Sequence, residues 1–395
     1  MNDKIYLIIL FHSNFPLLFK EWVFYFLYCN KICKLKKIIV TVTNDLSTDQ
    51  RVDKVCTTLF NNGYKVLLVG RKLKNSVPTH RDYHTKRIKL FFNQGFLFYA
   101  EFNFRIFFFL LFSKKDILLS NDLDSLAANY AVSVLQNKKL VYDSHELFSE
   151  VPELVHRPFV KKFWSSLEKL LLPKLKNTYT VCKSIADFYD ERYATNFKVV
   201  RNLPTFKKIE KGTLPFSTDG KKIIIYQGAI NIGRGLELMI DAMEFLENYL
   251  LIIVGSGDII TELKERSQSK SIEKKVHFLG KLLPIDLQKI TPLAHIGLSL
   301  EEDLGLNYRY ALPNKIFDYI QAEIPILVSD LPEMKQIVLE YKVGEIIALR
   351  TPKGLAEQIQ TMLKNDYSAS ILKAKQLLTW EQEKVTLEKI FKNLN

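Results

Sequence analysis

Two cations stand at the openings of helical patterns in the second half of the chain: Arg234 in GAINIGRG (228–235) and Lys315 in LPNK (312–315). A lysine just inside a helix N-terminus opposes the helix dipole, by roughly a few tenths of a kcal/mol. A bound anion removes the conflict, because it satisfies both the ammonium and the unpaired N–H groups of the first turn. The arginine adds a planar fork that matches phosphate oxygens. Around them, Gly228, Gly233, Gly255 and Gly257 fall in turns after strand patterns, the last two in VGSGD (254–258). A missing Cβ there lets backbone N–H groups reach a phosphate or ribose. Asn314 reads as the N-cap of the helix that carries Lys315. Asp318, one turn on, repels phosphate but accepts hydrogen bonds from a ribose or sugar hydroxyl. Each part alone is also explicable as an ordinary turn, first-turn carboxylate or solvated side chain. Together they describe a seat for a nucleoside diphosphate.

Such a seat needs strand ends gathered on one edge. IIVTVT (38–43), KVLLVG (65–70), DILLSND (116–122), KLVYDSH (139–145) and TYTVC (178–182) are continuous β-branched and leucine runs ending in polar residues. That is the pattern of buried parallel strands. KIIIYQG (222–228), YLLIIVGSG (249–257), KVHFLG (275–280), AHIGLSL (294–300) and IPILVSD (324–330) repeat it. Helical stretches such as GLELMIDAMEFLE (235–247) fill the gaps. The alternation predicts an α/β protein of two doubly wound parallel sheets, whose right-handed crossovers set the ligand-binding strand ends on one edge of each. A Pro-, Gly-, Lys- and Thr-rich stretch, RNLPTFKKIEKGTLPFSTDGKK (201–222), separates the halves. The expected organisation is a first domain over 36–205, a linker over 206–222, a second domain over 223–375 and a final helix over 376–395 packing across the boundary. The cleft between the two domains is the expected ligand site.

At 395 residues and 47% hydrophobic content, the chain has material for well-cored domains and is not a disordered one. Cys29, Cys33, Cys56 and Cys182 form no CxxC pair or disulfide-like spacing, which fits a reducing compartment. A net charge of +13 favours phosphate-bearing partners. Nucleic acid is not the expected one, because the basic residues are dispersed and no RNP, helix-turn-helix or finger signature occurs. Residues 1–35 carry two apolar runs, YLIILFHSNFPLLF and WVFYFLYC, split by Lys20 and Glu21. They read either as a membrane anchor or as an upstream extension, with no small-residue cleavage site after them. The basic KICKLKK that follows would keep the rest of the chain in the cytosol. The phenylalanine-dense FFNQGFLFYAEFNFRIFFFLLF (91–112) reads as a buried helix of the first domain in preference to a membrane-docking face.

YQGAINIGRGLELMIDAM, IIVGSGD, VHFLG and PNKIFDYIQAEIPILVSDLPE resemble the retaining, GT-B-fold glycosyltransferases of family four. VTVTNDLSTDQRVDKVCTTLFNNGYKVLLVGR and LVYDSHELFSEVPEL are similar to a bacterial branch of that family. The resemblance runs from about residue 37 to the C-terminus and implies two Rossmann-like domains facing across a cleft. It implies a nucleotide-diphosphate sugar as donor on the second domain, a saccharide or lipid-linked acceptor on the first, and no obligatory metal or other cofactor. Carried over by position, Arg234 and Lys315 would neutralise the diphosphate leaving group and Asp318 would hold the ribose. Gly255 and Gly257 would lie against the nucleotide, with Leu279 near its base, and His145 would face the reacting sugar. Asn44, Asp45, Asp49 and Arg51 would line the acceptor side, with Asp122 and Asp124 as further acceptor-side candidates.

Three positions depart from the family pattern. Its Glu-x7-Glu motif would begin at Tyr310, which is not acidic, and end at Asp318, one methylene short. Ala229 replaces the arginine that usually follows the first glycine, while Glu301, Glu302 and Arg309 stand close enough in sequence to compensate. The implied chemistry is substitution at an anomeric carbon, with the leaving diphosphate's charge as the main barrier. No carboxylate pair of the glycosidase kind and no His/Cys metal cluster is evident. The expected setting is cell-surface polysaccharide or glycolipid synthesis, at the cytoplasmic face of the inner membrane. The rival readings are a sugar-nucleotide epimerase of the same fold and a non-catalytic sugar-nucleotide-binding scaffold, the latter favoured by Tyr310. A dinucleotide dehydrogenase is more distant, since TNDLSTDQ (43–50) stands where a GxGxxG would be.

Overall fold

The computed structural model describes residues 35–47, 49–151, 154 and 157–394. The anchor-or-extension reading of residues 1–35 falls outside them but for Leu35. The continuous apolar runs become the inner strands of two sheets and one edge strand of the second, β10. The first holds β1 (Lys37–Asp45), β2 (Lys65–Lys72), β3 (His84–Lys89), β4 (Ile117–Asn121), β5 (Lys139–Ser144), β6 (Asn177–Thr180) and β7 (Lys198–Val199), in the order β3-β2-β1-β4-β5-β6-β7. The second holds β8 (Lys222–Gln227), β9 (Tyr249–Val254), β10 (Val276–Gly280), β11 (Ile296–Ser299), β12 (Ile326–Val328) and β13 (Gly344–Ile346), in the order β10-β9-β8-β11-β12-β13.

All pairings in both sheets are parallel; in the first, Ile38 of β1 lies opposite Ile117 of β4. Helices cover both faces, which is why β4 is buried at every position and reads as unbroken ILLSN. Strand order reverses at β1/β4 and at β8/β11, so each sheet opens a crevice beyond its carboxyl ends there. β3, β7 and β13 were not predicted. All three are edge strands: β3 is the charged HTKRIK, and the other two span two and three residues.

Besides the Ser184 N–H, which donates to Glu333 at 2.6 Å, two connections among the described residues hold the halves together. The helix Trp380–Lys392 returns to the first domain, where Trp380, Leu387 and Phe391 share an apolar cluster with Ile38, Val40 and Val55. Trp380 Nε1 donates to Thr58 Oγ1 at 3.0 Å, and Glu383 pairs with Arg201 at 2.8 Å. The second connection is the segment after β11. Leu306, Tyr310 and Leu312 pack on the first domain's core, and the Asn307 amide bridges Glu146 and the Leu147 N–H at 3.0 and 3.1 Å.

The phenylalanine-dense stretch forms the helix Gly95–Phe112. It is not the buried helix expected. Phe98, Phe102, Ile106 and Leu110 make one buried stripe, and the opposite side is exposed. A helix at the outer layer can present only one side to its sheet, and no described element covers the other.

Candidate active site

Both crevices open into one cavity of about 970 Å³. Asn44, Asp49, Arg51, His145 and Glu146 line it from the first domain; Asn231, Arg234, Tyr308, Asn314 and Asp318 line it from the second.

The second wall is organised by a residue whose position gave no strong signal. β11 ends at Ser299, and two residues later Glu301 is wholly buried. Lys315 Nζ lies 2.7 Å from Glu301 Oε1, Arg234 Nη1 approaches the same oxygen at 3.7 Å, and Ser299 Oγ donates to Oε2 at 2.7 Å. Burial alone would raise the Glu301 pKa, but Lys315 and then Arg234 hold it below the ordinary carboxylate value. The Lys315 ammonium also sits 4.0 Å from the Tyr226 ring centre, and the Arg234 guanidinium 5.0 Å from that of Tyr308. Arg234 faces the cavity, while Lys315 lies just beneath the wall. Of the three compensating candidates only Glu301 joins this cluster. Glu302 bonds the Gly233 carbonyl through its backbone N–H, and Arg309 pairs with Asp303 at 2.8 Å on the surface. Tyr310 is turned to the first domain, where its carbonyl accepts from Cys182 Sγ.

The cap reading of Asn314 is corrected. Pro313 is the N-cap, with its own φ of −65° and ψ of 134°, and its carbonyl accepts the Ile316 N–H. Proline is pre-set for that geometry, so Asn314 becomes the first helical residue, exposed at the cavity. Asp318 also faces the cavity and accepts from Gln227 Nε2 at 3.0 Å. Burial pushes its pKa up to about 6, against the opposing pull of Lys54. Gly255 and Gly257 make a close contact between loops that the sequence did not indicate. A Cβ on Gly255 would collide with the Gly228 carbonyl, and one on Gly257 with the Ile230 carbonyl. They let the loops after β8 and β9 interlock. Gly228 lies beside the Lys315 side chain and Gly233 against Leu304. Leu279 packs in the second domain's core and is not among the cavity-lining residues.

The first wall is an ion ladder. Arg51 donates to both carboxylate oxygens of Asp143, at 2.7 and 3.0 Å, and to the Val200 carbonyl at 2.8 Å. Asp143 Oδ2 also meets His145 Nε2 at 3.1 Å, and Asp122 meets His145 Nδ1 at 3.2 Å. Burial would depress the imidazole pKa, but Asp122 and then Asp143 outweigh it and raise it to about 9. His145 is therefore an imidazolium at neutral pH. Asp122 holds an unfavourable φ of 57° and accepts the His145 backbone N–H at 2.8 Å.

Other acceptor-side candidates divide. Asp49 caps the helix Gln50–Asn61 by accepting from the Val52 N–H, and with Asn44 it lines the cavity. Asp45 does not face it; it is turned to Ser47, Ser76 and Arg87 at the β2–β3 edge. Asp124 is buried under Thr43, which donates to it at 2.6 Å. Burial, then the charge of Asp122, pushes its pKa to about 8. Both were carried over by position, which does not fix which way a side chain near a strand end turns. Gln227 at the end of β8, Asn231 in the loop after it, and Asn307 and Tyr308 in the one-turn helix Leu306–Arg309 carry no sequence signal. Among the described residues, no group of three His, Cys, Asp or Glu is placed to hold a metal ion.

Comparison with known proteins bears on this cavity. Residues 214–377 match the family model Glycosyl transferases group 1. A phosphatidyl-myo-inositol mannosyltransferase of Mycobacterium leprae is 24% identical over 150 residues, 37% of this chain and 38% of that protein. A chitobiosyldiphosphodolichol beta-mannosyltransferase of Candida albicans is 25% identical over 227 residues, 51% of this chain and 48% of that protein. The matches thus span about half or less of these relatives. Among solved structures, sucrose-phosphate synthase from Thermosynechococcus elongatus superposes with a TM-score of 0.76 at 16% identity, over 91% of this chain and 99% of that one. Anabaena HepE in complex with UDP superposes with a TM-score of 0.68 at 12% identity, over 91% and 100%. Residues 214–377 thus resemble a glycosyltransferase group 1 domain, and the chain as a whole has the two-domain GT-B fold.

Proposed function

We propose that the chain moves a glycosyl group from a nucleotide-diphosphate sugar to a saccharide or lipid-linked acceptor, with retention, in the synthesis of a cell-surface polysaccharide or glycolipid. The observation that carries this reading is the meeting of Arg234 and Lys315 on the single carboxylate of Glu301 at the cavity wall. Two cations against one buried anion leave positive charge to be answered by a ligand. As the bond from the anomeric carbon to the diphosphate oxygen lengthens, negative charge grows on the leaving group, and preorganised cations lower that barrier. Asp318 is suited to ribose hydroxyls on the same wall. The charged His145 has both ring nitrogens engaged and cannot take a proton from the acceptor. That proton passes instead to a departing phosphate oxygen, the new glycosidic bond forms on the face the diphosphate leaves, and the anomeric configuration is kept. The names of the two mannosyltransferase relatives, phosphatidyl-myo-inositol and chitobiosyldiphosphodolichol, support an acceptor carried on a lipid.

The test is turnover of a panel of nucleotide-diphosphate sugars, with and without lipid-linked saccharides. Acceptor-dependent release of nucleoside diphosphate with a one-sugar mass gain is expected, and product anomeric coupling tests retention. Isomerisation of the nucleotide sugar alone would indicate an epimerase. Binding without turnover across the panel would leave only a scaffold.

A further inference from the structure

We propose that the outer faces of the helices Gly95–Phe112 and Pro158–Leu171 dock the first domain on an anionic lipid bilayer. The buried stripe of the first helix repeats every four residues from Phe98 to Leu110. Two residues out of phase, about 200° around the axis, Phe104, Phe108 and Phe112 point to solvent, with Phe112 81% exposed. The helix is long and apolar enough to cross a membrane by length and composition, yet one side is packed in the core. It therefore lies along a surface rather than through it. The second helix extends the patch: Phe159 is 88% exposed, and Phe163 meets Phe96 edge-on at 5.8 Å between ring centres. The loop carrying the exposed Phe91 and Phe92 is pinned, because both their N–H groups donate to Glu101 at 2.9 Å. Monomeric proteins rarely expose contiguous apolar patches of this kind without a partner.

Charge decides which partner. Each helix contains one carboxylate; Glu101 is tied to Arg105, and Glu168 is buried against Tyr193. Arg157, Lys162 and Lys169 are exposed beside the phenylalanines of the second helix. Aromatic residues flanked by cations suit a surface with acyl chains beneath anionic headgroups. A two-fold contact between copies would instead bring the same cations together.

The test is co-sedimentation of the full chain with phosphatidylcholine vesicles, with and without phosphatidylglycerol. Binding should require phosphatidylglycerol and weaken with salt. The exposed double variant Phe104→Ser/Phe159→Ser should lower the partition coefficient about tenfold or more with little change in Tm. Phe245→Ser, exposed on the second domain, should bind as the parent does. Undiminished binding of the double variant would overturn the proposal by placing attachment in the opening segment. No vesicle binding, or a lipid-free dimer dissolved by the double variant, would also overturn it.

Discussion

The two walls of the cavity are built from the same kinds of group and behave oppositely. On the first, Arg51 and His145 face Asp143 and Asp122, two cations for two carboxylates, all within 3.2 Å contacts. On the second, Arg234 and Lys315 share Glu301 alone. The first cluster is complete without a ligand. It fixes backbone and ring positions at the ends of β4 and β5 and leaves a charged imidazole edge as part of the wall. The second is incomplete and has one acceptor too few for its donors. Arg234, 27% exposed, reaches only to 3.7 Å of an oxygen that Lys315 already holds at 2.7 Å, so on the proposed function the second wall is the one an anion completes and the first is the one that faces the acceptor.

The sharpest way to break this contrast is to remove one partner from the complete cluster. Arg51 and Asp143 are 4% and 0% exposed. Arg51→Ala leaves a carboxylate buried beside one imidazole and should lower stability by about 3–5 kcal/mol, measured by urea denaturation. A loss under about 1 kcal/mol would mean that the ladder is ornamental. Next in size, Arg234→Ala and Lys315→Ala should each reduce transfer about a hundredfold or more. Unchanged turnover in both would refute the leaving-group assignment. Glu301→Gln separates the walls further: it should destabilise the free protein, and a nucleoside diphosphate should restore more stability to it than to the parent, since the ligand replaces the lost anion. Equal thermal shifts in the two proteins would show that Glu301 is not where the ligand's charge is felt.

How much of this was legible in the sequence depends on whether a feature is local. The inner strands were readable because burial on both faces forces an unbroken apolar run, while β3 was not, because an edge strand can be HTKRIK. Arg234 and Lys315 stood out because charge at a helix opening is a local anomaly. Glu301 did not, because its role depends on side chains from two other loops converging on it. Position also misled where two causes give one residue type. Gly255 and Gly257 answer to a loop crossing rather than to a ligand alone, and Asn314 yields its cap to Pro313. The helix Gly95–Phe112 was judged by composition, and composition does not tell one apolar face from two.

His145→Ala tests the first wall more gently. On the placement implied by the family resemblance, with the imidazolium facing the sugar rather than the diphosphate, donor affinity should be intact while transfer falls about tenfold; a calorimetric loss of donor affinity would reverse that placement. The linkage sign is set by a pKa raised from 6.5 to about 9. The stability that His145 contributes is fully present below its unfolded value and fades as pH rises through about 9. His145→Ala should therefore flatten that alkaline decline, and an unaltered slope would mean the ring is not held as an imidazolium.

The smallest expected effect lies on the second wall, at Asp318. Its folded pKa is raised from 3.8 to about 6, chiefly by burial. The stability contributed by that shift is fully present below 3.8 and is lost as pH rises through about 6. A ribose works the other way, because its hydroxyls need the ionised carboxylate as acceptor. Lowering pH through about 6 should thus strengthen Asp318's contribution to the free fold while weakening nucleotide binding, so the nucleotide-induced thermal shift should shrink. Asp318→Asn should lower affinity about three- to tenfold at neutral pH, because the amide keeps an oxygen acceptor and loses only the extra strength that the charge gives the bond, and remove the pH dependence. If the shift in the parent is constant across that range, Asp318 does not hold the ribose, and the hydroxyl contacts belong to the neutral amides of Asn231 or Asn314 beside it.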